Sequence, residues 1–218
     1  MFVGHFALGF GAKRLAPQVS LGILFLASQL ADVVWPTLVL LGVESVRIEP
    51  GVTALTPLDF VHYPYSHSLL ALALWAALFA VSYVLLARAG TKAAIVIAAL
   101  VLSHWLLDVL THRPDIPVTI GDSYKVGLGL WNYPVAAVAV ELLLFAAGTG
   151  VYLHFTKARN RQGSIGFWVL VSLLAGVYIA SLLGPPPPSA TAVAWSAQGI
   201  WVAVALGFWV DRNRVNRH

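Results

Sequence analysis

The sequence predicts an all-α polytopic membrane protein: six transmembrane helices plus a short N-terminal helical segment, in a single integral membrane domain over residues 1–218. Three observations predict it. Hydrophobic residues make up 59% of the chain and charged residues only 10%, whereas about a quarter of a soluble domain is charged. The apolar residues are gathered into long blocks and do not recur at helical or strand period between polar faces. The basic residues fall mainly on alternate connections between those blocks, the pattern of a fixed orientation in a bilayer.

The blocks run at 17–43, 68–86, 93–110, 133–155, 165–183 and 191–210, long enough for the roughly 20 residues of helix that a crossing needs. In the first, Pro36 leaves the Asp32 carbonyl without its helical partner and predicts a kink there. The connections are sharply marked. Arg88-Ala89-Gly90-Thr91-Lys92 is a tight basic turn, residues 157–163 form a polar basic loop, and Gly184 followed by four prolines cannot continue a helix. Two longer connections remain, 44–66 and 111–132. No internal repeat and no second domain is evident.

Placing the N-terminus in the cytoplasm and alternating sides gives one side Lys13, Arg14, Arg88, Lys92, Lys157, Arg159, Arg161, Arg212, Arg214 and Arg217. The other side receives Arg47, Arg113 and Lys125. This asymmetry predicts cytoplasmic termini and external long connections. The charges of the N-terminal stretch follow its apolar part, the reverse of a secretory signal, so the N-terminus is expected to stay with the mature protein. A net charge of +4 without any basic stripe argues against nucleic-acid binding. The absence of cysteine excludes disulfides, a thiol nucleophile and cysteine-ligated metal.

The functional signal lies in ionisable residues placed where they are expensive. Asp32, Asp108 and Glu141 fall within predicted spans, and no span carries Lys or Arg. Each acid costs about 2.5–3.5 kcal/mol at mid-bilayer on insertion scales, so a proton, histidines or a metal ion must offset the charge. His104, Asp108 and His112 follow one another at i, i+4 and i+8, on one helix face, and neighbours on that face can share a metal ion. The same spacing also suits a plain hydrogen-bonded pair that holds helices together. Asp32 and His67 are expected at the same outer depth. Glu141 lies deeper and reads as a ligand, a base or a proton carrier. Residues 1–11 are too short to span. If they dip into the bundle as a half-helix, His5 reaches mid-depth; an interfacial N-terminus would leave it outside. Asp59 and His62 are candidate partners for a metal-bound histidine. His154 and the terminal His218 read as incidental.

These residues resemble a bacterial family of membrane-bound metal-dependent hydrolases, related in motif to zinc-dependent phospholipase C. The motifs are Gly4-His5-Phe6, Asp32 within Leu30-Ala31-Asp32-Val33-Val34-Trp35-Pro36, Ser66-His67-Ser68, and Ser103-His104 with Asp108. The resemblance implies an inner-membrane location, a metal site of His5, Asp32, His67, His104 and Asp108, with His112 as a looser candidate, and a phosphoester or related ester as substrate. Such a site suits a divalent transition metal, zinc foremost. The expected activity is hydrolysis from the outer side. Glu141 or Asp59 would accept the proton and Arg113 would bind the substrate anion, with Trp131 and Asn132 at the edge of the opening. Expected partners are membrane lipids and a small-molecule or lipid substrate. Two other classes fit the same residues: a transporter or ion-conducting protein, and a non-catalytic membrane protein with a structural metal. The missing repeat and the uncharged fifth and sixth blocks weigh against a transporter.

Overall fold

A computed structural model of the chain describes residues 1–121 and 124–217, so His218 lies outside the described residues. It is a helical bundle. In chain order the elements are α1 (Val3–Ala12), α2 (Leu21–Ser28), α3 (Leu30–Leu40), β1 (Ser45–Ile48), β2 (Leu58–His62), α4 (Pro64–His67), α5 (Leu69–Ala87), α6 (Thr91–Thr111), β3 (Ile116–Pro117), β4 (Lys125–Val126), α7 (Pro134–Phe155), β5 (Thr156–Ala158), α8 (Arg161–Leu183), α9 (Ala190–Ala197), α10 (Ile200–Arg212) and β6 (Arg214–Asn216). By length and composition five segments can cross a bilayer: α5, α6, α7, α8 and α9 with α10. The pair α2–α3, bent by 59°, makes a sixth. The chain is therefore built as a membrane protein. Its outer surface carries the leucines, valines and tryptophans that a soluble fold would bury, among them Leu74, Leu78 and Leu85 on α5 and Trp168, Val177 and Trp201 on α8 and α10.

The predicted kink at Pro36 is replaced by a break at Gln29. Pro36 lies inside a continuous α3, while Gln29 takes the non-helical angles φ −109° and ψ 10°. Its side chain is fully buried and reaches toward the Phe2 carbonyl. A mid-span break is tolerated because protein, and not lipid, surrounds it. The sixth block is likewise two helices, joined through Gln198 and Gly199.

The short helix α1 lies inside the bundle, with Val3, Phe6 and Phe10 fully buried. It packs along α7 at a point where side chains are excluded: a Cβ on Gly148 would come within 2.2 Å of the Ala7 carbonyl oxygen. An aromatic core of Phe6, Phe10, Phe25, Phe145, Tyr152 and Phe167 surrounds it. A second, alanine-rich core fills the space between α2, α5 and α6.

The two long connections fold over the end of the bundle where α1 and α7 begin. The antiparallel hairpin β1–β2 and the short pair β3–β4 cover a small core of Trp35, Val46, Tyr63, Ile116 and Val193. At the opposite end β6 pairs with β5. There Lys13 donates to Asp211 at 2.7 Å, Tyr152 donates to the same carboxylate at 3.0 Å, and the Arg214 guanidinium bonds Thr156 and the Gly163 carbonyl.

Candidate metal centre

Four elements bring the ionisable residues together. His104 and Asp108 stand one turn apart on α6 and present His104 Nε2 to Asp108 Oδ2 at 3.1 Å. Asp32 arrives in the first turn of α3, where the positive end of the helix dipole favours a carboxylate. His67 ends the four-residue α4, its Nε2 3.5 Å from Asp32 Oδ1 and 3.8 Å from Asp108 Oδ2. His5 rises from α1, places its Nε2 3.0 Å from Asp108 Oδ1, and stacks flat on His104 at 3.7 Å between ring centres. The α-ammonium of Met1 lies 2.6 Å from the same Asp108 oxygen. Apart from Asp32, whose side chain is partly accessible, all of these groups are buried.

The hydrogen bonds fix the two central imidazoles. His104 Nδ1 lies 2.9 Å from the Ser28 carbonyl oxygen, an acceptor only, so Nδ1 carries the proton. That carbonyl is available because α2 stops there, leaving its last carbonyls without helical partners. His67 Nδ1 lies 2.7 Å from Ser66 Oγ, whose own hydroxyl proton goes to Glu44 Oε2 at 2.6 Å, so Nδ1 again is the donor. Glu44 is itself held by the backbone N–H groups of Tyr65 and Ser66 at the start of α4. Both Nε2 atoms therefore direct lone pairs at the carboxylates of Asp32 and Asp108.

Lone pair against carboxylate is repulsive unless a proton or a metal ion lies between them. Among the described residues nothing meets buried His104 Nε2 in hydrogen-bond geometry, although Asp108 Oδ2 lies 3.1 Å away. Two sets of donor atoms, from His5, His104 and Asp108 and from Asp32, His67 and His104, each fall within 4.8 Å of one another. Two donors on one tetrahedral zinc ion stand about 3.3 Å apart, inside that limit. In donor type, spacing and fixed tautomer, these groups can hold a metal ion.

The remaining candidates lie around this cluster. His112, the residue that ends α6, belongs to neither set of donors among the described residues. Its Nδ1 bonds Asp115 Oδ1 at 3.0 Å and its ring packs against Trp131 at 4.1 Å. Asp115 also accepts from Tyr63 and Arg113. Burial would raise the Asp115 pKa, but the hydrogen bonds and charge of His112 and Arg113 outweigh it and hold the carboxyl below its usual value. The loop 127–129 seats the end of α6, with Leu128 and Gly129 donating to the carbonyls of Val109 and His112. The approach is so close that a Cβ on Gly127 would overlap the Arg113 backbone.

Glu141 turns its carboxylate to the start of α1, accepting from Phe2 N at 2.9 Å and Gly4 N at 3.2 Å. Asp59 pairs with Arg113 and Arg47, and His62 packs edge-on against Tyr65. Sequence reasoning did not single out Ser28, Glu44 or Asp115. Glu44 and Asp115 carry a faint signal, since each is an acid within three residues of the end of an apolar block or of His112.

A cavity of about 720 Å³ reaches this cluster. Asp32, His67, Asp108, His112 and Glu141 border it, and its other walls are mainly apolar, from α1, α8, α9 and α10. No family model, no curated protein and no solved structure matches the chain.

Proposed function

We propose that this protein is a membrane-embedded, metal-dependent hydrolase that acts on a phosphoester or lipid-like ester from the outer face of a bacterial inner membrane. The observation that carries the reading is the convergence of two tautomer-fixed imidazoles and two carboxylates at the end of a cavity of ligand size. A purely structural metal would be closed off by its ligands, whereas a catalytic one keeps an accessible position. Asp32, His67 and Asp108 all border the cavity.

In this reading Asp32, His67, His104 and Asp108 hold the ion, zinc foremost, with His5 completing the set. When bound, such an ion supplies Lewis acidity and brings the pKa of a water to about 7. His112 is the proton carrier we favour: Asp115 fixes its Nδ1–H, leaving Nε2 as acceptor on a ring that borders the cavity. Glu141 keeps α1, and with it His5, in place. Arg113, engaged by Asp59 and Asp115, holds the outer wall near His112. The outer location is supported by the far end of the bundle, where Lys13, Arg14, Lys157 and Arg214 gather as cytoplasmic residues do.

Purified protein in nanodiscs, offered a panel of phosphoesters and carboxylic esters, is expected to release product in a metal-dependent manner, and Asp108→Asn to abolish the release. Metal-coupled ion flux into liposomes without any hydrolysis would replace this reading with transport.

A further inference from the structure

The cavity beside the cluster continues as a largely apolar slot. Beyond the polar end at Asp32, His67 and Asp108 its walls include Leu174 on α8 and Ala203 on α10. Its lining also includes Val177 and Val202, which are 47% and 55% exposed on the outside of the bundle. Val177 stands six residues before the end of α8 at Leu183, a depth of roughly 9 Å at 1.5 Å per residue. A helix surface at that depth meets hydrocarbon and not water. On the outer side the segment 55–58 and the prolines Pro185 and Pro187 border the same cavity. The carboxylates and imidazoles of the lining all belong to Asp32, His67, Asp108, His112 and Glu141; α8 adds the phenol of Tyr178 as its one ionisable group there, and α10 adds none.

We infer that the substrate is an amphiphile with a long hydrocarbon chain, which enters from the bilayer between α8 and α10. Its ester group seats at Asp32, His67 and Asp108, and its chain lies along Leu174, Val177 and Ala203. The seating of the ester rests on the hydrolase reading; the route of the chain rests on the slot alone. A water-soluble ester would gain nothing from an apolar slot open to lipid. A chain passes from lipid into the slot without crossing water, and the packed walls then select for its length.

The test uses full-length protein in nanodiscs with two readouts. The first is binding of a hexadecyl phosphonate that carries a photoreactive diazirine on its chain. Cross-links are expected on α8 and α10 at the slot, displaced by unlabelled hexadecyl phosphonate and lost in Ala203→Trp and Val177→Trp. The second is hydrolysis of ethyl and hexadecyl esters of the same phosphate. The hexadecyl ester is expected to lead in kcat/KM by roughly tenfold or more, since each buried methylene adds to binding. That preference should fall toward unity in Ala203→Trp and persist in Leu74→Trp, whose side chain faces outward on α5. Slot cross-links without hydrolysis of either ester would support the chain route and remove the hydrolase reading. Cross-links spread over the outer surface and not displaced, or equal rates for the two esters in the unaltered protein, would overturn the inference.

Discussion

His104 donates its Nδ1–H to the carbonyl of Ser28, and that carbonyl is free to accept because the first span breaks at Gln29. The same break makes Asp32 a first-turn residue of α3. One interruption of one helix thus orients a histidine with its carbonyl end and favours a carboxylate with its amide end.

Bound metal is the first expected outcome. Elemental analysis of detergent-purified protein should find a divalent transition metal near one per chain or above, removable by chelator. His104→Ala and Asp108→Ala should lose most of it while remaining helical by circular dichroism. Metal-free, well-folded, unaltered protein would sink the centre altogether.

Ser66 and Glu44 act on His67 from behind. Ser66→Ala and Glu44→Gln should each weaken metal affinity by about 10–100-fold, the usual effect of removing a partner that orients a ligand. Because the two form one chain of hydrogen bonds, the double variant should lose much less than the sum of the single losses. Additive losses in competition titrations would show that Glu44 serves only to hold α4.

Glu141 supplies the acceptor for two N–H groups at the start of α1. Glu141→Ala leaves those buried donors unsatisfied, at a cost of about 1–3 kcal/mol each, and should lower the thermal midpoint and expose α1 to protease. Glu141→Gln retains an acceptor oxygen and should fall between Glu141→Ala and the unaltered protein. Gly148→Leu should reproduce the loosening of α1 through steric overlap with Ala7, without touching any ionisable group. Unchanged protection of α1 in Gly148→Leu would count against the close approach.

Orientation can be read by single cysteines, since the chain has none of its own. Cysteines at Pro50 and Tyr124, both exposed in the long connections, should react with an impermeant thiol reagent in intact cells. One at Gln162, exposed at the opposite end, should react only after lysis. The reverse pattern would invert the bundle and place the cluster toward the cytoplasm.

Much of the bundle was legible because lipid imposes a strong composition rule: five of six blocks became the expected long helical segments, and His5 lies within a short buried helix. The break at Gln29 was not legible. Proline is the residue that removes a helical hydrogen bond, whereas Gln29 departs from the helix through contacts with α1, far away in sequence. Helical spacing correctly paired His104 with Asp108 but could not separate His112, since i+8 also reaches the helix end, where the chain turns its ring to Asp115. In Ser66-His67-Ser68 the two serines look alike in sequence. In the fold Ser66 orients the histidine, while Ser68 caps α5 by accepting from the Ala71 N–H. Glu44 stayed hidden because its contact spans 22 residues of connection.

The burial of α1 has a consequence for biogenesis. Ten residues give about 15 Å of helix, half the hydrocarbon thickness of about 30 Å, so α1 cannot be threaded into the membrane as a crossing in its own right. Its berth is made by α7, which begins more than 120 residues later in the chain. During synthesis the segment bearing His5 must wait while three hydrophobic crossings are laid down ahead of the fourth. The cluster is therefore assembled late, with its earliest-made histidine the last to arrive.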